Sequence, residues 1–138
     1  MTDRAAFLRA LVGKPYLPNG MGPDAYGCWG LVVAVERELF SRDLPDVPED
    51  ATLADFRRHP EAAHWLEIVN VPQAVACFHA ADGAIVLMAR ADRLAHVGVW
   101  LKPERRVLHA DRPSVVCEDL EIVRANGWRR LRFYERVA

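Results

Sequence analysis

The sequence predicts an α+β domain in which N-terminal helices pack on a central antiparallel β-sheet. Three observations predict it. Apolar residues recur at helical spacing at Leu31, Val32, Val35 and Leu39. The second half carries short apolar or alternating runs, AIVLMA at 84–89, HVGVWL at 96–101 and RRVLHA at 105–110. The two kinds of segment come in blocks, helices first and strands after, which is the order of an α+β fold.

Each element follows from local chemistry. Residues 2–12 read as a short amphipathic helix, with Thr2 or Asp3 as cap, Phe7, Leu8 and Leu11 inward, and Gly13 at the exit. Residues 14–27 contain Pro15, Pro18, Gly20, Gly22 and Pro23, too many breakers for regular structure. A helix is expected from Cys28 to Phe40, with Glu36, Arg37 and Glu38 mostly on its outer side. Residues 41–50 form a Pro/Asp-rich loop. Thr52 and Asp55 resemble a capping box for a short helix stopping near Pro60, and Glu61 to Glu67 add a further turn or two. Residues 70–82 carry no clear period. The run 84–89 suits a buried central strand. In 96–101, Val97, Val99 and Leu101 share one face, and His96, Gly98 and Trp100 the other. Further strands are expected at 105–110, 115–121 and 128–134.

The chain has 138 residues, 51% of them hydrophobic, which predicts one domain over residues 1–138 with a core that needs no staples. Charges nearly cancel, 18 basic against 19 acidic, which argues against a nucleic-acid platform. Arg129, Arg130 and Arg132 form a local basic patch that reads as a solvated strand end. Three cysteines, Cys28, Cys77 and Cys117, are too few and too odd for a disulfide framework. No stretch approaches the roughly 18 to 20 apolar residues of a membrane span. Asp3, Arg4 and Arg9 interrupt any signal-peptide core, so synthesis and retention in the cytoplasm are expected.

Cys28 is the candidate nucleophile. A thiol at a helix N-terminus faces unpaired backbone N–H groups and the positive end of the helix dipole, and both favour the thiolate. The Cys28 backbone N–H is a candidate oxyanion donor. Gly27 and Gly30 flank it and permit close approach of a substrate backbone. Cys77 and Cys117 lie in apolar surroundings and read as structural.

A thiol needs a base, and five histidines are available. His59 reads as a surface helix end, and His64 and His79 lie in segments that suggest no polar partner. His96 and His109 interrupt strands where apolar residues are expected. A two-residue turn at Pro103-Glu104 pairs Lys102 with Arg105 and sets His109 opposite Gly98, diagonal to His96. Diagonal neighbours lie ~7 to 8 Å apart at Cα, within reach of two imidazoles. A four-residue loop puts the histidines directly opposite, and a three-residue loop puts them on opposite faces. The reading is Cys28 as nucleophile, His96 as general base and later acid, and His109 as the group that orients His96. Zinc on Cys28, His96 and His109 is the competing reading, disfavoured because no close ligand pair and no fourth ligand present themselves. No metal and no cofactor are expected.

These residues resemble the NlpC/P60 cysteine peptidases, a papain-like family. The resemblance runs through GKPYLPNGMGPDAYGCWGLV (13–32), DGAIVLM (82–88), HVGVWL (96–101) and RRVLHA (105–110), and 41–80 matches poorly. GPDAYGCWGLV is most similar to the phage-tail branch, whose members accompany tail-tip assembly and cut peptidoglycan during entry. The resemblance implies a papain-like fold and cleavage of an amide bond in cell-wall stem peptides through a Cys28 thioester. The implied partners are peptidoglycan peptide and phage tail proteins, with a place in the virion tail. It also implies that Tyr16, twelve residues before Cys28, brings its hydroxyl near the thiol as an oxyanion helper. The family usually has Asp before the cysteine and Ser after it, where this chain has Gly27 and Trp29, and Trp29 recurs in the phage-tail branch. Those positions read the free amine of the stem peptide, and Asp24 is the candidate replacement carboxylate. Gly27 also keeps open hydrolysis or acyl transfer on a different amide or ester, and a tail-tip or wall-binding module with vestigial catalysis.

Overall fold

Asp3 begins the first helix by accepting a hydrogen bond from the Ala6 N–H at 3.2 Å, and the computed structural model places α1 at Arg4–Leu11. The structure describes residues 2–46, 60–90 and 93–137. Leu8 and Leu11 of α1 are buried, and the chain leaves through Gly13 at φ 92°.

Helix α2 spans Cys28–Phe40, the expected bounds. Every residue from Cys28 to Glu36 is buried, so α2 is covered nearly all round rather than on one stripe. The sheet lies on one side. The 14–27 loop crosses another at Gly30, where any Cβ would run into the Gly20 carbonyl. Helix α2 stops at Ser41, which turns left-handed at φ 55° and donates its N–H to the Arg37 and Glu36 carbonyls.

The expected capping box at Thr52 and Asp55 lies outside the described residues, as does His59. A 3₁₀ turn, Pro60–His64, leads into β1, Trp65–Glu67, so only the first part of the turn expected over 61–67 is helical. Pairing decides the rest: Trp65, Leu66 and Glu67 lie opposite Arg136, Glu135 and Tyr134, a long-range match that no local pattern encodes. A 3₁₀ turn at Gln73–Val75 and the short α3, Ala76–His79, follow. Then come β2 (Ile85–Arg90), β3 (Arg93–Leu101), β4 (Arg106–Ala110), β5 (Val115–Glu118), α4 (Leu120–Ala125) and β6 (Arg130–Arg136). The strand expected over 115–121 ends early because Asp119 caps α4, accepting from the Ile122 N–H at 3.0 Å.

The fold is α+β, with a six-stranded antiparallel sheet in the order β1-β6-β2-β3-β4-β5. Its two faces feed two cores. On one, Val97, Val99, Leu101, Leu108 and Ala110 pack with α2. On the other, Met88, Trp100, Val107, Trp128 and Phe133 pack with α3 and α4. The β3–β4 turn has the expected register, with Leu101 opposite Arg106, Trp100 opposite Val107, and the Arg105 N–H on the Lys102 carbonyl at 3.2 Å. Among the described residues no helix is long and apolar enough to cross a membrane.

One carboxyl is fully buried in the first core. Glu36 receives Arg42 Nη1 on Oε1 at 3.0 Å, while Oε2 has no partner among the described residues. Burial pushes the Glu36 carboxyl up to about 8, against the pull of Arg42. Its folded-state value lies above the ordinary one. Its contribution to stability is therefore complete below the ordinary value and is lost as pH rises toward 8. The slope is at most about 1.4 kcal/mol per pH unit. Thermal melts should show wild-type Tm falling between pH 6.5 and 8 and Glu36→Gln flat over the same range. A wild-type Tm that rises there contradicts this account.

Candidate active site

Cys28 is the first residue of α2, and Gly27 before it is extended at φ −89° and offers no side-chain cap. The first N–H groups of a helix have no intrahelical acceptor, so the thiol sits where a negative charge is favoured. Cys28 is 6% exposed.

Short backbone contacts fix where this helix begins. Tyr26 donates to the Pro15 carbonyl and accepts from the Leu17 N–H, each at 3.0 Å. Tyr16 donates its N–H to the Pro113 carbonyl at 3.0 Å, and Val115 donates to Lys14 at 2.9 Å. The segment just before Cys28 is thus tied, through 14–17, to the 111–114 turn that joins β4 to β5. The β3–β4 register, continued, sets His96 across from Asp111, the first residue of that turn. The helix N-terminus and His96 therefore belong to the same end of the sheet.

His96 and His109 are joined: Nε2 of His96 and Nδ1 of His109 stand 2.8 Å apart, with ring centroids at 5.0 Å and planes at 76°. This is the diagonal placement expected of a two-residue turn. Gly98 lies between them, and a Cβ there would press on the Leu108 carbonyl and the His109 Cβ. The other nitrogen of His109, Nε2, is 2.8 Å from Glu118 Oε1. Trp128 stacks on His96 with centroids 4.7 Å apart and planes at 20°, and its N–H donates to Asp111 Oδ2 at 3.1 Å. Arg90 lies over the Trp128 ring at 3.9 Å.

Strand alternation sets the relation of the thiol to these rings. Val97, Val99 and Leu101 face α2, so His96 and His109 face the second core. The structure brings the two imidazoles together, as the strand alternation requires. His96 Nε2 is occupied by His109, which leaves Nδ1 as the nitrogen for chemistry.

Tyr16 pairs with Tyr26, two residues before Cys28, and Gly27 and Trp29 flank the thiol in the chain. Tyr16 is half-buried beside the 111–114 turn, with the Arg112 guanidinium 5.4 Å over its ring. Trp29 is 1% exposed and donates its indole N–H to the Pro45 carbonyl at 2.7 Å, so it packs inward rather than lining an open surface. Gly27 is buried, its N–H on the Gly20 carbonyl. Asp24 is exposed on the 21–26 turn. Cys77 is buried and Cys117 half-buried, and burial raises both thiols. Glu118, Asp111 and Trp128 were not legible as site residues. Glu118 alone left a signal, since a four-residue β4–β5 turn puts it on the His109 face.

His96, His109 and Asp111 offer ligand atoms within 4.8 Å of one another. The 2.8 Å between the ring nitrogens is the distance of a shared proton. Each Asp111 oxygen is taken, Oδ1 by the Arg112 N–H and Oδ2 by Trp128. The set is therefore arranged for proton sharing, and a metal ion would have to displace those bonds.

Burial, then the neighbouring His109, pushes His96 down to about 3. Burial also lowers His109, with the Glu118 hydrogen bond opposing it. Burial alone would raise Asp111, and a group of contacts led by the Arg112 N–H brings it below the ordinary carboxylate range. Both rings are neutral near pH 7. Because their folded-state values are lowered, they favour the fold fully above the ordinary histidine value near 6.5 and lose that contribution as pH falls. Histidine C2–H resonances followed by NMR should show the His96 ring unshifted from pH 8 to 5.5 and the His109 ring titrating below the ordinary histidine value. Titration of either with a midpoint near 6.5 refutes the assignment.

Compared with the profiles of known protein families the chain matches none, and no curated protein matches it.

Proposed function

We propose that this chain is a papain-like cysteine hydrolase that cleaves an amide bond in peptidoglycan stem peptides. One observation carries the reading: the N-terminus of the Cys28 helix and a His96 ring held through Nε2 by His109 lie at the same sheet end. The resemblance of 13–32, 82–88, 96–101 and 105–110 to NlpC/P60 peptidases supplies the substrate class and the tail-associated setting.

In this mechanism His96 Nδ1 takes the Cys28 proton as the sulfur attacks the carbonyl carbon. The helix N-terminus stabilises the oxyanion. The proton passes from Nδ1 to the leaving amine, giving a thioester. Water, activated by the same nitrogen, then releases the acid and restores the thiol.

A second reading, a tail-tip or wall-binding module with silent catalysis, is favoured by Gly27, which puts no carboxylate beside the thiol. Muropeptide digestion followed by mass spectrometry separates the two. The hydrolase reading expects cleavage by wild type and a loss of at least about 10³-fold in Cys28→Ala and in His96→Ala. Equal cleavage by wild type and Cys28→Ala sinks it. Simple amides and thioesters in the same assay test the substrate class, and their preference over muropeptides would reassign it.

A further inference from the structure

Glu118 ends β5, and the register places it opposite Val107 while His109 lies opposite Val116. Glu118 is thus diagonal to His109 on one face of the sheet, as His96 is diagonal to His109 on the other neighbouring strand. The three side chains form a line across β3, β4 and β5, with separations of 2.8 Å at both joints.

The proton positions follow from the line. A carboxylate has only lone pairs to offer, so Glu118 Oε1 must receive a hydrogen from His109 Nε2. A neutral imidazole carries one N–H, which leaves His109 Nδ1 as an acceptor. His96 Nε2 faces that acceptor and must donate to it. The single hydrogen of His96 is then on Nε2, and Nδ1 is a bare lone pair. We propose that Glu118 is a positioning residue that sets the tautomer of both rings, so that His96 accepts a proton only at Nδ1.

The neighbouring groups do not set this order. Asp111 is engaged by the Arg112 N–H and by Trp128, and Arg90 lies over the Trp128 ring. Asn126 Nδ2 donates to Glu118 Oε2 at 3.3 Å, which steadies the carboxylate and leaves Oε1 for His109. The catalytic consequence rests on the hydrolase reading above. As Nδ1 takes the thiol proton, His96 becomes an imidazolium whose Nε2–H already points at His109, and the Glu118 charge stabilises it through the intervening ring. No proton moves along the line. The one gained at Nδ1 leaves with the amine.

The test is long-range ¹H–¹⁵N correlation of histidine-labelled full-length protein at pH 7.5, for wild type, Glu118→Gln and Glu118→Ala. Wild type is expected to show both buried rings as Nε2–H tautomers. Both variants are expected to show mixed tautomers, a kcat lower by about 10- to 100-fold, and KM little changed. An Nδ1–H tautomer at either ring of wild type overturns the proposal, even if no variant folds. Retention of pure Nε2–H tautomers in both variants also overturns it. Wild type with both Nε2–H tautomers but no muropeptide cleavage would sink the hydrolase reading and leave the tautomer assignment standing.

Discussion

From His96 to Leu101 strand β3 is buried on both faces, and much of the structure depends on how its alternation is used. Val97, Val99 and Leu101 hold α2, while His96, Gly98 and Trp100 face the second core. A shift of one residue in the β2–β3 register would exchange the two sets. It would put imidazole against α2 and strip the α2 face of its branched side chains. Register is therefore specified twice, once by each core. The irregularity between Met88 and Ala89 lies just beyond His96, so it leaves the pairing from His96 inward undisturbed.

A line of polar groups inside an apolar face is costly unless every member is satisfied. Here the cost is limited by geometry. His96 and His109 satisfy each other, Glu118 ends the line at the half-exposed edge of the sheet, and Trp128 covers the outermost ring. Burial keeps both rings neutral, so the only formal charge in the line is the one nearest water. Glu36 follows the opposite logic in the first core. Among the described residues it is a carboxyl with one partner and one unpaired oxygen, and burial favours its protonated form.

The helices at 4–11 and 28–40, the approximate positions of β2 to β6 and the His96–His109 pairing were legible in the sequence, because each rests on local chemistry or on a count along one hairpin. The short strand Trp65–Glu67 was not, because its partner is the last strand of the chain and its own composition is neutral. The helix at Leu120–Ala125 was hidden by a strand-like run before it and revealed only by its Asp119 cap. Trp128 sits in a connection with no periodicity, so nothing nearby says that its ring lies on His96. The face relation of Cys28 to His96 needs the whole sheet, since it depends on which side of β3 the helix settles.

The backbone ladder at 13–17 has a second consequence. It occupies the outer side of β5 where that strand begins, with the Gly13 N–H on Val115 and the Val115 N–H on Lys14. The opposite edge of the sheet is β1, only three residues long. Bare sheet edges invite pairing with strands of other molecules. The same segment that fixes the start of α2 thus also blunts one edge of the sheet, and brevity blunts the other, so both borders resist lateral growth into aggregates.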